Sequence, residues 1–161
     1  MTIKFWGTNK LNGYLSNFYF SDFTLDGITY PTVEHYFQSK KFEGATEKIL
    51  ISSSNNRLEK VSHEAYIAGL SHPAETAKEG KRRDFPLRKD WEQVKEDVMY
   101  EGIKAKFMQN LELMVRLVDT HNAELVEDSP YDYYWGVGRN KTGQNRLGVL
   151  LMGLRDELNG K

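Results

Sequence analysis

The sequence predicts an α+β fold, mostly helical with a few short strands, in a single domain that covers residues 1–161. Three observations lead to this class. Apolar residues recur at helical spacing in several segments, and Asp26-Gly27 separates two short β-prone runs in the manner of a hairpin turn. Hydrophobic residues make up 39% of the chain and charged residues 28%, which is ordinary for a globular domain with its own core.

The elements of the first third follow from local signals. Residues 3–6 are predicted to form a short strand, and residues 23–25 and 28–30 are predicted to form the two strands of the hairpin. A helix is expected over residues 32–42, because Thr32 is a suitable N-cap and a carboxylate follows in the first turn, where it complements the helix dipole. Gly44 then ends the helix.

The middle third is predicted to be mostly helical and polar. Short helices are expected at residues 45–51, 58–69 and 73–79. The basic segment 81–89 is expected to be extended, since Pro86 disfavours a helix there.

The remaining elements have clearer boundaries. Asp90 is the predicted N-cap of the longest helix, with Gln93 completing a capping box. A helix over residues 111–119, a strand over residues 124–127 and an amphipathic helix over residues 145–158 follow.

Composition excludes several classes of function. Cysteine is absent, which excludes disulfides, thiolate metal sites and a cysteine nucleophile. The formal net charge of −1 gives no global attraction to nucleic acid, so any such contact would be local. The four histidines show no metal-ligand spacing, so neither a metal nor another cofactor is expected. Without a signal peptide or an apolar run of membrane-spanning length, the expected location is cytoplasmic.

Residues 131–148 form an unusual run of aromatic residues and glycines before the last helix. Glycines let a backbone approach a ligand closely, and aromatic rings such as that of Trp135 offer a flat surface to a base. The helix that begins near Asn145 would present free N–H groups to a phosphate. The alternative is a mobile glycine-rich connector.

Glu34, Gln38 and Lys41 lie at i, i+4 and i+7 on the first predicted helix, so they share one face. One interpretation is an ordinary surface ion pair. The other is a carboxylate for proton transfer beside an amine that attacks an electrophilic carbon. The second requires that burial or nearby positive charge lower the pKa of the lysine.

The basic segment 81–89 also allows two interpretations. It is either a solvated loop or a phosphate-binding segment, in which the guanidinium groups of Arg83 and Arg88 would match phosphate oxygens. Trp91, directly after it, would either stack on a ligand ring or anchor the long helix in the core.

Motifs along nearly the whole chain resemble, in order and in spacing, those of the NADAR superfamily, the YbiA-like N-glycosidases. The matching motifs are Leu15-Ser16-Asn17-Phe18, Asp26-Gly27 and the run from Tyr30 to Phe42, then Pro86-Leu87-Arg88-Lys89-Asp90-Trp91 and Lys106-Phe107, and finally Asp132-x-x-Trp135-Gly136-x-Gly138, Asn145-Arg146-Leu147-Gly148 and Leu151-Met152-x-x-Arg155. Residues 52–79 form a longer segment than compact members of the superfamily have, which bears on substrate choice.

The resemblance implies a YbiA-like fold and cleavage of the N-glycosidic bond at C1 of a phosphorylated ribose. It implies one of two substrates: a ribosylaminopyrimidine phosphate of riboflavin biosynthesis, or ADP-ribose attached to guanine in DNA or RNA. The competing hypotheses are a non-catalytic module that binds ADP-ribose or NAD, and a purely structural helical protein. The sequence gives no indication of the oligomeric state.

The resemblance also assigns roles to residues. Glu34 is the expected acid/base, Lys41 the nucleophile that traps the opened sugar as a Schiff base, and Asp132 the group that orients ribose hydroxyls or assists proton transfer. The expected substrate-binding residues are Asn17, Phe18, Arg83, Arg88, Trp91, Trp135, Gly136, Gly138 and Asn145.

Overall fold

The computed structural model describes residues 1–45, 48–52 and 55–161. Helices dominate and the strands are short, so the predicted α+β class is confirmed. The strands are β1 (Thr2–Phe5), β2 (Phe23–Leu25), β3 (Ile28–Tyr30), β4 (Lys48–Ser52), β5 (Leu58–Ser62) and β6 (Glu124–Glu127). The helices are α1 (Val33–Lys40), α2 (His63–Ala68), α3 (Pro73–Glu79), α4 (Trp91–Met108), α5 (Leu111–Val118) and α6 (Arg146–Leu158).

The strands pair two by two. β2 and β3 form the predicted antiparallel hairpin, and β4 and β5 form a second one. β1 and β6, although far apart in sequence, pair in parallel, with Phe5 opposite Glu127. The parallel pair therefore brings the N-terminal strand to the start of the aromatic and glycine-rich run.

Of the three short helices predicted in the middle third, one is wrong and a second is correct only in its second half, where α2 lies. Residues 48–52 form β4, and the first half of the helix expected at 58–69 is β5, with Ile49 opposite Val61. Exposed and half-buried residues alternate along β4, which is the period of a strand, and its β-branched isoleucines suit that conformation. Residues 46 and 47 of the helix expected at residues 45–51 lie outside the described ranges. The third helix, over residues 73–79, is confirmed.

Of the two predicted N-caps, one is confirmed. The Thr32 hydroxyl accepts the backbone N–H of His35 at 3.2 Å, at the start of α1. Asp90 precedes α4 as expected, but its side chain does not cap the helix, because its carboxylate accepts hydrogen bonds from the Arg88 guanidinium. The capping box with Gln93 was therefore a wrong prediction.

Helix α1 lies at the centre of the fold. All eight of its residues are buried, and it packs against α2, α3 and α4. Buried polar side chains are costly unless they have partners, and α1 carries several of them. The hydrophobic core around it is continuous from Phe5 to Leu154, which supports our proposal of a single domain. In the described ranges, no helix is both long enough and apolar enough to span a bilayer.

Lys106 on α4 is a buried lysine with a structural task, and burial lowers the pKa of its amine to about 7. Its side chain is 1% exposed, and its Nζ donates to the carbonyl oxygens of Tyr14 at 2.6 Å and Ser16 at 2.9 Å. These bonds tie the loop that leads to Asn17 onto the long helix. Lys106 therefore fixes the backbone that meets the start of α1.

We predict that Lys106→Met lowers the free energy of unfolding by about 2–4 kcal/mol, because two buried carbonyl groups lose their donor. Urea unfolding measures this change. Lys104→Met on the same helix removes only a partly exposed ion pair with Glu157 and should cost less than about 1 kcal/mol. Equal costs in the two variants would contradict the structural task of Lys106.

Candidate active site

The polar face of α1 is buried inside the protein. Glu34 is 7% exposed, and its Oε1 accepts a hydrogen bond from Gln38 Nε2 at 2.6 Å. The backbone N–H of Glu34 donates to the Asn17 carbonyl at 3.1 Å. Burial raises the pKa of Glu34, and Asp132 adds to the rise, while Gln38 and Lys41 oppose it. Glu34 therefore belongs to a buried polar cluster and does not form an ordinary solvent-exposed ion pair.

The two consecutive lysines at the end of α1 differ in their surroundings. Burial acts to lower the pKa of Lys40, but hydrogen bonds to Glu43 and Glu64 at 2.9 Å and 3.0 Å outweigh it and raise that pKa. Burial, to which the charges of Arg83 and Lys81 add, lowers the pKa of Lys41 to about 8 against the opposing charge of Glu34. Of these two lysines, Lys41 is thus the one whose amine is uncharged in a useful fraction near neutral pH.

The carbonyl oxygen of Gly80 brings the basic segment to Lys41. Lys41 Nζ lies 3.4 Å from this oxygen, and Arg83 Nη1 donates to it at 3.1 Å. The Arg83 guanidinium therefore lies close to the amine. Lys81 belongs to the same cluster, since its charge acts on both Glu34 and Lys41.

Arg88 is engaged differently from Arg83. Its guanidinium binds Glu43 at 2.6 Å and Asp90 at 2.7 Å, so two carboxylates occupy the donors that were expected to bind phosphate. Its backbone N–H donates to the Lys41 carbonyl at 2.8 Å. In the structure Arg88 holds the end of α1 in place, and Arg83 is the better placed of the two for a phosphate.

Glu127, at the end of β6, is a third carboxyl group of the site that the sequence-based prediction missed. Burial, together with the charges of Asp132 and Glu34, raises the pKa of Glu127 to about 8. Its Oε2 is buried without a hydrogen-bond partner in the described residues. The available signal was an acidic residue at the carboxyl end of an apolar strand, directly before the aromatic run.

Asn145 holds this strand end. Its Oδ1 accepts the Glu127 N–H at 2.9 Å, and its Nδ2 donates to the Leu125 carbonyl at 2.8 Å. Asn145 adopts a left-handed conformation with a φ of 52°. Its side-chain amide is therefore used by the protein, and we now propose that Asn145 positions Glu127 rather than binding substrate directly.

The N-terminus of α6 does not offer a phosphate site of the kind expected from the sequence. The N–H groups of Arg146 and Leu147 donate to the carbonyl oxygens of Tyr134 and Trp135 at 3.0 Å and 3.1 Å. The loop itself thereby satisfies two N–H groups of the first turn of the helix.

Asp132 and the two glycines shape the loop before α6. Asp132 Oδ1 accepts the N–H groups of Tyr134 at 2.9 Å and Trp135 at 2.7 Å, and its charge reaches both Glu34 and Glu127. A Cβ atom on Gly136 would lie 2.9 Å from the Glu127 carbonyl oxygen. Gly138 has a φ of +70°, and its missing side chain leaves room for the Tyr133 ring. The glycines thus have packing tasks within the loop, and the proposed contact of their backbone with substrate is an additional role.

The two tryptophans both pack on Phe37. Trp91 lies 5.0 Å and Trp135 5.4 Å from its ring, centroid to centroid. Trp91 is buried in the core, whereas Trp135 is half-buried. The Lys41 amine lies 5.4 Å from the Phe37 ring and 5.8 Å from the Trp91 ring. Trp91 therefore packs in the core next to Lys41. Trp135 and Phe18 are only half-buried, so they are the aromatic residues better placed to contact a ligand.

Three buried acceptor oxygens around Glu34 have no partner among the described residues: Asn17 Oδ1, Gln38 Oε1 and Glu127 Oε2. Each belongs to a residue that either bonds to Glu34 or acts on it through its charge. Unpaired buried acceptors are costly, and a ligand rich in hydroxyl groups would satisfy them. No arrangement of three or more histidine, aspartate or glutamate residues suited to a metal ion occurs in the described part of the chain.

We predict that Arg83→Gln raises the pKa of Lys41, because it removes a positive charge that disfavours the ammonium form. The rising limb of kcat/KM against pH, which lies near pH 8 if the amine must be neutral, should then move to higher pH. Arg88→Gln is the matched control, since Arg88 is held by two carboxylates and should leave the limb in place. An unchanged limb in Arg83→Gln would disprove the electrostatic coupling.

Comparison with known proteins shows the family of this chain. Residues 4–159 match the NADAR domain. The chain belongs to the NADAR domain family. N-glycosidase YbiA of Shigella flexneri serotype 5b is 44% identical over 156 residues, which is 97% of this chain and 88% of that protein. The chloroplastic riboflavin biosynthesis protein PYRR of Zea mays is 40% identical over 98% of this chain and 25% of its own length.

The fold of this NADAR domain also matches a solved structure. The NMR structure of Escherichia coli YbiA superposes with a TM-score of 0.81 at 40% sequence identity, covering 99% of this chain and 87% of that one. The expected YbiA-like fold is therefore confirmed.

Proposed function

We propose that this protein is an N-glycosidase that hydrolyses the bond between C1 of a phosphorylated ribose and a base-like amine. The relatives named N-glycosidase support the reaction class. The observation that carries the proposal is the buried polar face of α1, where a carboxyl group with a raised pKa lies beside an amine with a lowered one. Purely structural or binding roles have no need of that pairing.

In the proposed reaction, Glu34 gives a proton to the ring oxygen as the C1–O bond of the ribose ring breaks, which leaves the base nitrogen doubly bonded to C1. The Lys41 amine then adds to C1 and passes a proton to the base nitrogen. The C1–N bond to the base breaks, the base leaves as a free amine, and the opened sugar remains on Lys41 as an imine. Water then adds to C1, the aldehyde sugar departs and the lysine amine is restored. One water molecule is consumed for each bond cleaved.

The other residues are assigned by their positions. Asp132 and Glu127 border Glu34, and with Asn17 they offer acceptors for the ribose hydroxyl groups. Arg83 is the proposed phosphate ligand, and Lys81 is added to the set predicted from the sequence. The half-buried Trp135 and Phe18, together with the backbone at Gly136 and Gly138, are proposed to border the base.

Two substrate types fit this chemistry. Relatives in Zea mays and Vibrio vulnificus are named riboflavin biosynthesis proteins, which favours a ribosylaminopyrimidine phosphate. ADP-ribose attached to guanine in nucleic acid presents the same C1–N bond and the same 5-phosphate. A module that binds ADP-ribose or NAD without cleaving it is the non-catalytic alternative.

The deciding experiment assays the purified protein on both substrates side by side, with Lys41→Ala as the inactive control. Release of free ribose phosphate or of ADP-ribose by the wild type alone supports the proposal and identifies the substrate. Binding of ADP-ribose without cleavage of either substrate would instead establish the non-catalytic module.

A further inference from the structure

Gln38 connects the proposed acid, Glu34, to the residue that meets the Lys41 amine. It lies one helical turn after Glu34 on α1, and because helical side chains lean toward the N-terminus, its amide reaches back to the Glu34 carboxyl group. Gln38 Nε2 donates to Glu34 Oε1 at 2.6 Å. Gln38 is only 8% exposed, so water competes little for this hydrogen bond.

Gly80 borders the other side of the Gln38 amide. A Cβ atom on Gly80 would lie 1.9 Å from Gln38 Oε1 and 2.5 Å from the amide carbon, so the amide fills the space that a side chain at position 80 would need. The Cα of Gly80 presents only hydrogen atoms, which suit the amide oxygen better than its NH₂ group. The φ of Gly80 is an ordinary −62°, so the contact with Gln38, and not the backbone conformation, accounts for a glycine here.

The orientation of the amide determines which oxygen of Glu34 carries a proton. Gln38 Nε2 is only a donor, so Glu34 Oε1 accepts, and the proton of a neutral Glu34 lies on Oε2. Among the described residues Oε2 has no hydrogen-bond partner, yet it is not one of the fully buried unpaired atoms. It is therefore the oxygen of Glu34 that is open to a ligand.

Gln38 also affects the charge state of Glu34. Burial has the largest effect on the pKa of Glu34 and raises it, and the Gln38 hydrogen bond has the largest of the opposing effects. The charged groups that face Glu34 are Lys41 on its own helix, Lys81 in the basic segment, Asp132 in the loop before α6 and Glu127 at the end of β6. The Gln38 amide thus favours the carboxylate form more than either lysine does.

We propose that Gln38 is a positioning residue for the acid of the reaction: its amide, held between Glu34 and Gly80, keeps the acidic proton on Oε2 and stabilises the carboxylate that remains once this proton is transferred. The proton passes from Oε2 to the ribose ring oxygen, which also takes the electron pair of the breaking C1–O bond. A hydrogen bond to a carboxylate is stronger than one to a neutral carboxyl group, so the Gln38 bond strengthens as the proton leaves. This inference rests on the proposed N-glycosidase function and adds a residue to it.

The test combines kinetics with a direct titration of Glu34. Gln38→Met keeps the size of the side chain but removes the donor, and we expect kcat to fall roughly 10- to 100-fold with little change in KM, the factor for one hydrogen bond to a charged group. In NMR spectra of protein with ¹³C-labelled glutamate, the Glu34 carboxyl signal, assigned by its loss in Glu34→Gln, should titrate at a higher pH than in the wild type.

Gln109→Met is the matched control for the loss of a glutamine. The Gln109 side chain also makes hydrogen bonds, to the backbone N–H and carbonyl of Thr24, both at 2.8 Å. These bonds tie the end of α4 to β2 and do not involve Glu34, so the control should keep the wild-type kcat and the wild-type titration of Glu34.

Gly80→Ala tests the same inference without removing a polar atom. Its methyl group would displace the Gln38 amide from Glu34, so this variant should reproduce both the lower kcat and the titration at higher pH. Gly153→Ala on α6 is its control, since no atom lies within 4 Å of a Cβ atom built there, and it should behave like the wild type.

Two outcomes would overturn the role of Gln38. They are a wild-type kcat in Gln38→Met, and a lower kcat in Gln38→Met with an unchanged titration of Glu34, which would indicate a general structural effect. A wild type that cleaves neither substrate would refute the proposed function, whereas an active wild type with either of these two outcomes would refute the role of Gln38 alone.

Discussion

Lys41→Ala is expected to lower kcat by roughly 10³-fold or more while the protein stays folded, because removing a covalent nucleophile usually costs at least that much. Lys41 is the amine whose pKa is lowered to about 8 by burial, with Arg83 and Lys81 adding to the effect. Among the described residues its amine makes one hydrogen-bond contact, at 3.4 Å with the Gly80 carbonyl, so its loss should cost little stability. Initial rates and a melting curve test both parts.

The neighbouring lysine provides the control. Lys40→Met removes ion pairs with Glu43 and Glu64 and should lower the melting temperature, yet it should retain most of the turnover of the folded protein. Lys41→Arg keeps the positive charge but cannot form an imine, so it should be as inactive as Lys41→Ala.

Borohydride under turnover should reduce the imine and leave a sugar on the peptide that contains Lys41, detectable by mass spectrometry. Absence of an adduct from an active enzyme would replace the covalent step with direct attack by water. Substantial turnover by Lys41→Ala would remove this residue from the mechanism altogether.

The proposed catalytic pair could be predicted from sequence because its geometry is local. The spacing of Glu34, Gln38 and Lys41 places them on one helix face whatever the rest of the chain does. Whether that face is buried depends on packing against α2, α3 and α4, which no spacing reveals. The sequence therefore predicted which residue types share the helix face. The tertiary structure distinguished a surface ion pair from a buried acid beside an amine with a lowered pKa.

The binding residues were harder to predict because residue type does not reveal the partner. Arg88 has the side chain of a phosphate ligand, but Glu43, 45 positions earlier, binds it at 2.6 Å. The side-chain amide of Asn145 is already hydrogen-bonded to the backbone of β6. Glu127 owes its place in the site to the parallel pairing of β6 with β1, two strands that lie far apart in the sequence. Each outcome depends on long-range contacts.

The error in the middle of the chain has a different physical origin. Short runs such as Lys48–Ser52 contain too few residues to separate a period of 2 from a period of 3.6. The pairing of β4 with β5 decides the conformation there, with Asn56 at a φ of 56° in the connection. This hairpin leads directly into α2, which packs on α1, so the segment supports the site from behind.

Glu34→Gln is expected to lower kcat by about 10²–10⁴-fold, the range for loss of a general acid or base. The amide is nearly isosteric, and its oxygen can still accept the Gln38 hydrogen bond that Glu34 Oε1 accepts at 2.6 Å. Burial disfavours the charged form of Glu34, so a neutral replacement should leave the melting temperature unchanged or raise it. Loss of activity with undiminished stability would show that the Glu34 carboxyl group acts in catalysis and is not needed for folding.

The same variant also tests the coupling to Lys41. Glu34 raises the pKa of Lys41 against the larger effect of burial, so removing its charge should lower that pKa and move any residual rising limb of kcat/KM to lower pH. Glu127→Gln provides the comparison, because Glu127 is not among the principal charges that act on Lys41 and should leave the limb near its original position. A limb that stays in place in Glu34→Gln would mean that the two groups do not share an electrostatic environment. The assignment of Glu34 as the acid that works with the Lys41 amine would then fail, even if the variant were inactive.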